Sequence, residues 1–307
     1  MKALVIRSTG SAFVVLLDDG QTLECHVKGN MRLRGIRTTN PVAVGDIVDV
    51  LLQTDGTAWI TDIQPRRNYI IRRATNLSKE AHILAANIDQ SALIITVAHP
   101  ATSTTFIDRF LATAEAYRVP AVLIFNKTDL LDEGGLSELE TLRALYASIG
   151  YPSVALSALQ PDAGQRLAPL FAGKTTLLSG NSGVGKSTLL NAVLGEQRAR
   201  TGSISVVHDK GMHTTTFSEM YPLPDGGWLI DTPGIKGFGS VEMQKEEVGH
   251  YFPEIFRISR NCRFGNCLHT GEPGCAVVPA VTDGTIALSR FDSYLSLLGD
   301  SDEPKYR

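Results

Sequence analysis

Gly180-Asn181-Ser182-Gly183-Val184-Gly185-Lys186-Ser187 has the residue types and spacing to wrap a chain of phosphates. Glycines let backbone N–H groups turn inward onto phosphate oxygens, and a helix beginning at Lys186 adds the positive end of its dipole. Lys186 is suited to reach the β- and γ-phosphates and the Ser187 hydroxyl to ligate Mg²⁺; Thr188 groups with the same loop. Such a motif carries weight only between a strand and a helix. Residues 174–179 read as that short buried strand and Lys186 to Leu194 as the helix. A glycine-rich turn with a chance Lys-Ser is the plain alternative, and the companion motifs argue against it.

Asn126-Lys127-Thr128-Asp129 follows the apolar run Ala121 to Phe125, which reads as a buried parallel strand. The Asp129 carboxylate is acceptor-only and suits guanine N1–H and the exocyclic amine. Adenine offers neither donor there, so GTP is expected over ATP, and Asn126 and Lys127 belong to the same base-reading loop. Ser157-Ala158, after the strand-like Ser153 to Leu156, fits a small loop supporting the base. Asp231 ends the strand Gly227 to Ile230; it is expected to hold Mg²⁺ through water while the Gly234 N–H senses the γ-phosphate. Between them lies Gly211 to Thr216, a candidate first switch in which Thr215 completes the Mg²⁺ shell. Ile235 stands where many GTPases carry a water-orienting glutamine, which implies slow intrinsic hydrolysis. His213 is the candidate catalytic residue, positioning water; a structural histidine is the alternative.

The order of these loops is base, phosphate, switch, whereas an ordinary GTPase domain begins with the phosphate loop. The chain therefore reads as a circular permutation, which is tolerated where the original termini lie close together at the surface. Permutation leaves the second switch feeding a C-terminal segment that contains a further constellation. Cys262, Cys267, His269 and Cys275 form C-x4-C-x-H-x5-C and hold three of the four cysteines in the chain. Three thiolates and an imidazole make a closed tetrahedral Zn²⁺ shell with no open position, so the site is expected to be structural. Disulfide pairing is the alternative, disfavoured by an odd thiol count and a reducing compartment. Cys25 has no ligand partners nearby and reads as a packed small side chain.

Several elements must position these groups. The 307 residues allow two or three domains. Residues 1–66 alternate apolar and polar over about five short strands, with Asp18-Asp19-Gly20 as a hairpin turn, and suit a small β-barrel of the OB type. Net charge is −3, yet residues 1–80 hold 11 Lys/Arg against 8 Asp/Glu. Two acid-free basic stretches stand out, one with Lys28, Arg32, Arg34 and Arg37, the other with Arg66, Arg67, Arg72 and Arg73. On a barrel these form a candidate RNA-binding surface, with a solvated charged face as the plain alternative. Residues 67–80 read as a basic linker, 81–236 as the permuted α/β P-loop GTPase domain, and 237–307 as a mostly helical zinc-binding domain. Phe106 to Tyr117, Leu136 to Ile149, 162–172 and Ile286 to Leu298 read as helices, and Ser301 to Arg307 as a tail. No signal peptide or membrane-length apolar run is legible, so a soluble, cytoplasmic protein is expected, with a monomer as the default.

Taken in order, the barrel, N-K-x-D, phosphate loop, H-T-T-T, D-T-P-G and the cysteine–histidine cluster resemble the ribosome-small-subunit-dependent GTPase A family (RsgA, also called YjeQ) over nearly the whole chain. That resemblance implies an OB-fold, a permuted GTPase domain and a zinc domain. It also implies a factor that binds the maturing 30S subunit through its 16S rRNA and is stimulated by it to hydrolyse GTP to GDP. His213 matches the histidine of the family's switch motif. Met212 departs from the basic residue usual there, leaving open any phosphate or rRNA contact made from that position. A nucleotide-gated RNA-binding scaffold with negligible turnover is the alternative reading.

Overall fold

Alternation along β1 (Lys2–Ser8), β2 (Phe13–Leu17), β3 (Thr22–Val27), β4 (Ile47–Leu52) and β5 (Ala58–Ile63) turns one face of each strand inward. The computed structural model describes residues 1–9, 12–27, 41–73, 81–195, 218–231 and 243–300. Lys28, Arg32, Arg34, Arg37, Met212, His213, Thr215, Gly234, Ile235 and the Ser301–Arg307 stretch lie outside those residues, as do the side chains of Arg72 and Arg73. Strands β1–β2, β2–β3, β4–β5 and β1–β4 pair antiparallel and β3–β5 pair parallel, which closes a five-stranded barrel. Its interior is Val5, Phe13, Val15, Cys25, Val48, Val50 and Ile60 with their neighbours. The β2–β3 turn is made at Asp18–Gly20, where Gly20 has φ +83° and the Asp19 carboxylate accepts from Gln21 N at 2.9 Å.

A hairpin joins the barrel to the central α/β domain. Strand β6 (Tyr69–Arg73) pairs with β7 (Ala81–Ala86), so residues 69–73 form a strand and residues 67–80 are not simply a linker. Tyr69, Ile70 and Ile71 carry β-prone side chains that the basic residues beside them obscure in the sequence. The barrel comes close to this hairpin at Gly45, whose φ is +90° and where an added Cβ would overlap the Ala86 carbonyl oxygen.

The α/β domain then runs β8 (Gln90–Ile95), α1 (Thr104–Tyr117), β9 (Ala121–Phe125), α2 (Glu133–Ile149), β10 (Ser153–Ala155), α3 (Ala163–Phe171), β11 (Thr175–Ser179), α4 (Lys186–Leu194), β12 (Glu219–Pro222) and β13 (Trp228–Asp231). The sheet order is β10-β9-β8-β11-β13-β12, parallel except for β12, which runs antiparallel and continues the sheet into β1 of the barrel. Strand β11, which leads into the phosphate loop, sits between strands that precede and follow it in the chain. That is the spatial signature of the permutation. Alternate residues of β8 face opposite layers, Leu93 and Ile95 toward α1 and α2, Ala92 and Ile94 toward α3 and α4. Burial on both faces explains why these strands read as unbroken apolar runs. Helix α1 starts at Ser103, whose hydroxyl accepts from Phe106 N, and α2 ends at Gly150 with φ +113°.

The described residues beyond β13, 243–300, are mostly helical, with α5 (Lys245–Val248), α6 (Pro253–Ser259), α7 (Val277–Thr282) and α8 (Leu288–Asp300). These pack around Val248, Phe252, Ile255, Val277, Ile286 and Tyr294, and Ala112 of α1 joins the same core. Among the described residues no helix is long and apolar enough to cross a membrane.

Candidate functional site

Segments 126–129 and 180–187 are far apart in sequence and meet in space through Asn126. Its Nδ2 donates to Val184 O at 2.8 Å, its Oδ1 accepts from Ala158 N at 2.8 Å, and its own N–H donates to Ile95 O at 2.8 Å. One buried amide thus fastens three loops at the carboxyl ends of β8, β9, β10 and β11, the edge where ligands bind in open α/β sheets. Ser157 and Ala158 are both buried, and the Ala158 N–H is committed to Asn126.

Gly185 fits the same junction. It has φ +97°, and a Cβ there would overlap Asn126 Nδ2. Gly180 likewise has φ +150°, with Ile94 O only 2.7 Å from where a Cβ would be. These two glycines are therefore steric requirements as well as flexible joints.

Lys186 opens α4 and folds its ammonium back over the loop, donating to Gly180 O at 2.6 Å and Asn181 O at 2.8 Å. Burial pushes its pKa down, and the Asp231 carboxylate pulls it part of the way back. Strand pairing puts Asp231 beside Leu178, at the mouth of the loop. Val184 is buried beneath the loop; Ser182 and Gly183 are exposed, while Asn181, Ser187 and Thr188 are half-buried. Lys127 takes φ +62° and donates from Nζ to His99 O at 2.7 Å, which leaves the neighbouring Asp129 exposed at the rim. The contribution of the 96–100 loop was not legible in the sequence. His99 accepts from Lys127, and Pro100 lies closest to where a Cβ on Gly183 would be.

The second constellation also assembles. Ligand atoms of Cys262, Cys267, His269 and Cys275 all lie within 4.8 Å of one another. His269 Nδ1 is 3.7 Å from Cys262 Sγ and 3.5 Å from Cys275 Sγ. Bond lengths of about 2.3 Å to sulfur and about 2.05 Å to nitrogen give tetrahedral edges of roughly 3.6–3.8 Å. The cluster therefore has the size of a metal shell. Outer contacts fix the ligands: Ala276 N donates to Cys262 Sγ at 3.3 Å, Glu272 accepts from Leu268 N and Thr270 N at 2.8 and 2.7 Å, and Tyr294 OH donates to Leu268 O at 2.7 Å. Burial and the neighbouring thiols push Cys267 up to about 12, a bias that a bound cation reverses. Glu272 has no local signal in the sequence that would mark it as a support.

The basic stretches divide differently from expectation. Arg66 is corrected: its guanidinium is bonded to both Asp46 oxygens at 2.6 Å and to Pro41 O, and its side chain is only 8% exposed. A guanidinium occupied in this way cannot also serve an RNA phosphate. Arg67 remains on the surface, paired with Asp89 at 2.8 Å while 63% exposed.

A five-stranded barrel, a permuted P-loop domain with a guanine-type base loop, and a Cys₃His cluster together define a circularly permuted GTPase. The family model described as RsgA GTPase matches residues 63–241, and the RsgA N-terminal domain model matches residues 2–60. The chain belongs to the RsgA GTPase family. It is 59% identical over 307 residues to the small ribosomal subunit biogenesis GTPase RsgA of Phocaeicola vulgatus, covering 100% of this chain and 99% of the relative. The RsgA of Porphyromonas gingivalis is 56% identical over 312 residues, at 100% and 99% coverage. The crystal structure of YjeQ from Thermotoga maritima superposes with a TM-score of 0.76 at 30% identity, covering 98% of both chains. YloQ, a circularly permuted GTPase, gives 0.74 at 28% identity over 99% of this chain and 96% of its own.

Proposed function

We propose that this GTPase acts in maturation of the small ribosomal subunit, binding the 30S particle through its 16S rRNA and hydrolysing GTP to GDP in response. The observation that carries the reading is the Asn126 junction, which holds a base-reading loop against a phosphate loop. Full-length identity to small-subunit biogenesis GTPases supports the partner.

In this reading Asp129 reads guanine N1–H and the exocyclic amine, with Asn126 and Lys127 shaping the loop and Ser157-Ala158 backing the base. Gly180 to Thr188 envelop the phosphates. Lys186 exchanges its two loop carbonyls for β- and γ-oxygens, and the incoming negative charge offsets the burial that depresses its pKa. Ser187 and Thr215 ligate Mg²⁺ and Asp231 acts through water; the ion supplies neutralisation of charge on the phosphates. Gly234 senses the γ-phosphate and His213 positions the attacking water. Cys262, Cys267, His269 and Cys275 hold one structural Zn²⁺, consistent with the edge lengths of their cluster.

The division of labour follows the barrel (1–66), the connection that includes β6 (67–80), the GTPase domain (81–236) and the zinc domain (237–307). RNA contacts fall to Lys28, Arg32, Arg34, Arg37, Arg67, Arg72 and Arg73 in a cytoplasmic monomer. Because the permutation runs the second switch into the zinc domain, GTP and GDP forms present different faces to the subunit. Single-turnover GTP cleavage with and without small subunits tests the proposal. Acceleration by subunits is expected; its absence would leave a nucleotide-gated scaffold.

A further inference from the structure

Two phenylalanines of the C-terminal domain sit outside its core. Phe256 is 37% and Phe264 45% exposed, and neither joins the cluster built on Val248, Phe252, Ile255 and Tyr294. Each is instead dressed by an arginine, with Arg260 centred 5.2 Å from the Phe256 ring and Arg263 centred 5.3 Å from the Phe264 ring. His250 connects the two pairs. Its ring meets Phe256 edge-on at 5.0 Å, and it lines with Phe264 a shallow cavity of about 30 Å³ whose other walls include His269 and Tyr294. That volume admits water but no base, so a ligand lies on this ledge rather than in it.

Glu246 and Lys245 line the cavity from the α5 side, and the segment that carries the two rings is basic. From Ile255 to Gly271 the sequence has no acid and holds Arg257, Arg260 and Arg263, all exposed. Among the described residues none of the three pairs with a carboxylate within 4.0 Å, whereas Arg290 of α8 is fully committed to two. Exposed aromatic rings beside uncommitted guanidinium groups are the chemistry that holds unpaired nucleotides. Bases stack on the rings and guanidinium planes, and the arginines meet the phosphates between them. A double helix offers stacked bases no access to the rings.

We propose that Phe256 and Phe264, with Arg260 and Arg263, form a stacking platform for single-stranded RNA on the metal-cluster domain. The proposal rests on the reading that this chain engages rRNA, and specifies a second contact made by residues of neither the barrel nor the nucleotide loops. The ledge is carried by α6 and the cysteine–histidine segment itself, so the metal shell that shapes this segment also sets the spacing of the rings.

The test uses the full, metal-loaded chain and fluorescence anisotropy with a labelled single-stranded RNA decamer and a blunt duplex of the same sequence. Phe256→Ala and Phe264→Ala are each expected to weaken decamer binding about tenfold, as loss of one stacked base does. Phe256→Trp should restore binding, and duplex affinity and basal GTP hydrolysis should not change. Arg260→Ala with Arg263→Ala should flatten the salt dependence. Alanine variants that bind the decamer like the parent overturn the proposal. Loss of small-subunit binding with decamer affinity intact also overturns it, because the partner is then a protein. A parent chain that ignores small subunits yet binds the decamer through both rings sinks the ribosomal reading and leaves the platform standing.

Discussion

Arg290 Nη1 lies 2.8 Å from Asp108 Oδ1, joining side chains that are 1% and 0% exposed and 182 positions apart. The same arginine takes Glu254 through Nε at 2.7 Å, Tyr146 donates to Asp108 at 2.8 Å, and the Phe252 ring covers the guanidinium at 4.7 Å. Burial opposes the charge on Arg290, yet the two carboxylates hold its pKa above the ordinary value. This network is the weld between α1 of the GTPase domain and α6 and α8 of the C-terminal domain.

Arg290→Ala strands two buried carboxylates, a change that costs about 3–5 kcal/mol. The denaturation midpoint in urea should fall accordingly, and limited proteolysis should release the C-terminal helices earlier. Replacing Arg290, Asp108 and Glu254 together with apolar residues of similar volume should cost less, because no charge is left without a partner. An Arg290→Ala unfolding curve matching the parent would remove the network from the stability of the domain junction.

Asp129→Asn replaces an acceptor-only group with one that donates. Preference should move from guanine toward xanthine nucleotides, with GTP binding weakened by roughly 1.5–3 kcal/mol, the worth of a charge-assisted hydrogen bond. Competition titrations with GTP and XTP measure the shift. Unchanged GTP affinity takes Asp129 out of the base site.

Gly185→Ala adds a methyl against Asn126 Nδ2 at a residue with φ +97°. The loops at Val184 and Ala158 should separate, and affinity for a fluorescent GDP should drop at least tenfold while far-ultraviolet circular dichroism changes little. Parent-like affinity would mean the Asn126 junction does not control nucleotide binding.

Thiol titration separates the four cysteines. Cys25 is fully buried, and burial pushes its pKa up to about 11, so it stays protonated and unreactive at neutral pH. In native, metal-loaded protein a disulfide reagent should find almost no fast thiol. Chelation should release three, and denaturation the fourth. Removing the metal should also loosen the helices around Tyr294, since the small core there relies on the cluster. Three fast thiols before chelation would contradict a closed metal shell.

Arg66→Ala should behave as a core mutation. It leaves Asp46 buried without its guanidinium and lowers stability by about 3–5 kcal/mol. Arg67→Ala, at an exposed pair, should move stability by less than about 1 kcal/mol. Equal effects in denaturant melts would undo the distinction drawn between these neighbours.

Much of this architecture was legible because its signals are local. The helix Lys186–Leu194 and strand Ala121–Phe125 have the limits read from apolar spacing, since a glycine loop and a turn motif punctuate them. The cluster residues Cys262, Cys267, His269 and Cys275 converge as their spacing implied. What escaped depends on partners distant in sequence. Arg66 looked like part of a basic surface because its partner, Asp46, is twenty positions away across the barrel. Asp108 is one carboxylate on an otherwise ordinary amphipathic helix, and nothing around it announces Arg290. Residues 69–73 looked like a charged connection because their strand partner, 81–86, is separated from them in the sequence.

Among the described residues, strand pairing joins the barrel to the rest of the protein at two narrow places. One is the single residue pair Arg7↔Glu219 between β1 and β12; the other is the Val44↔Ala85 bridge to the hairpin. Val44 is part of the α/β core and Leu4 and Ile6 of β1 pack against it, so buried side chains back both pairings. A load applied to the barrel from outside is therefore passed into the strand whose other neighbour terminates in Asp231, at the mouth of the phosphate loop.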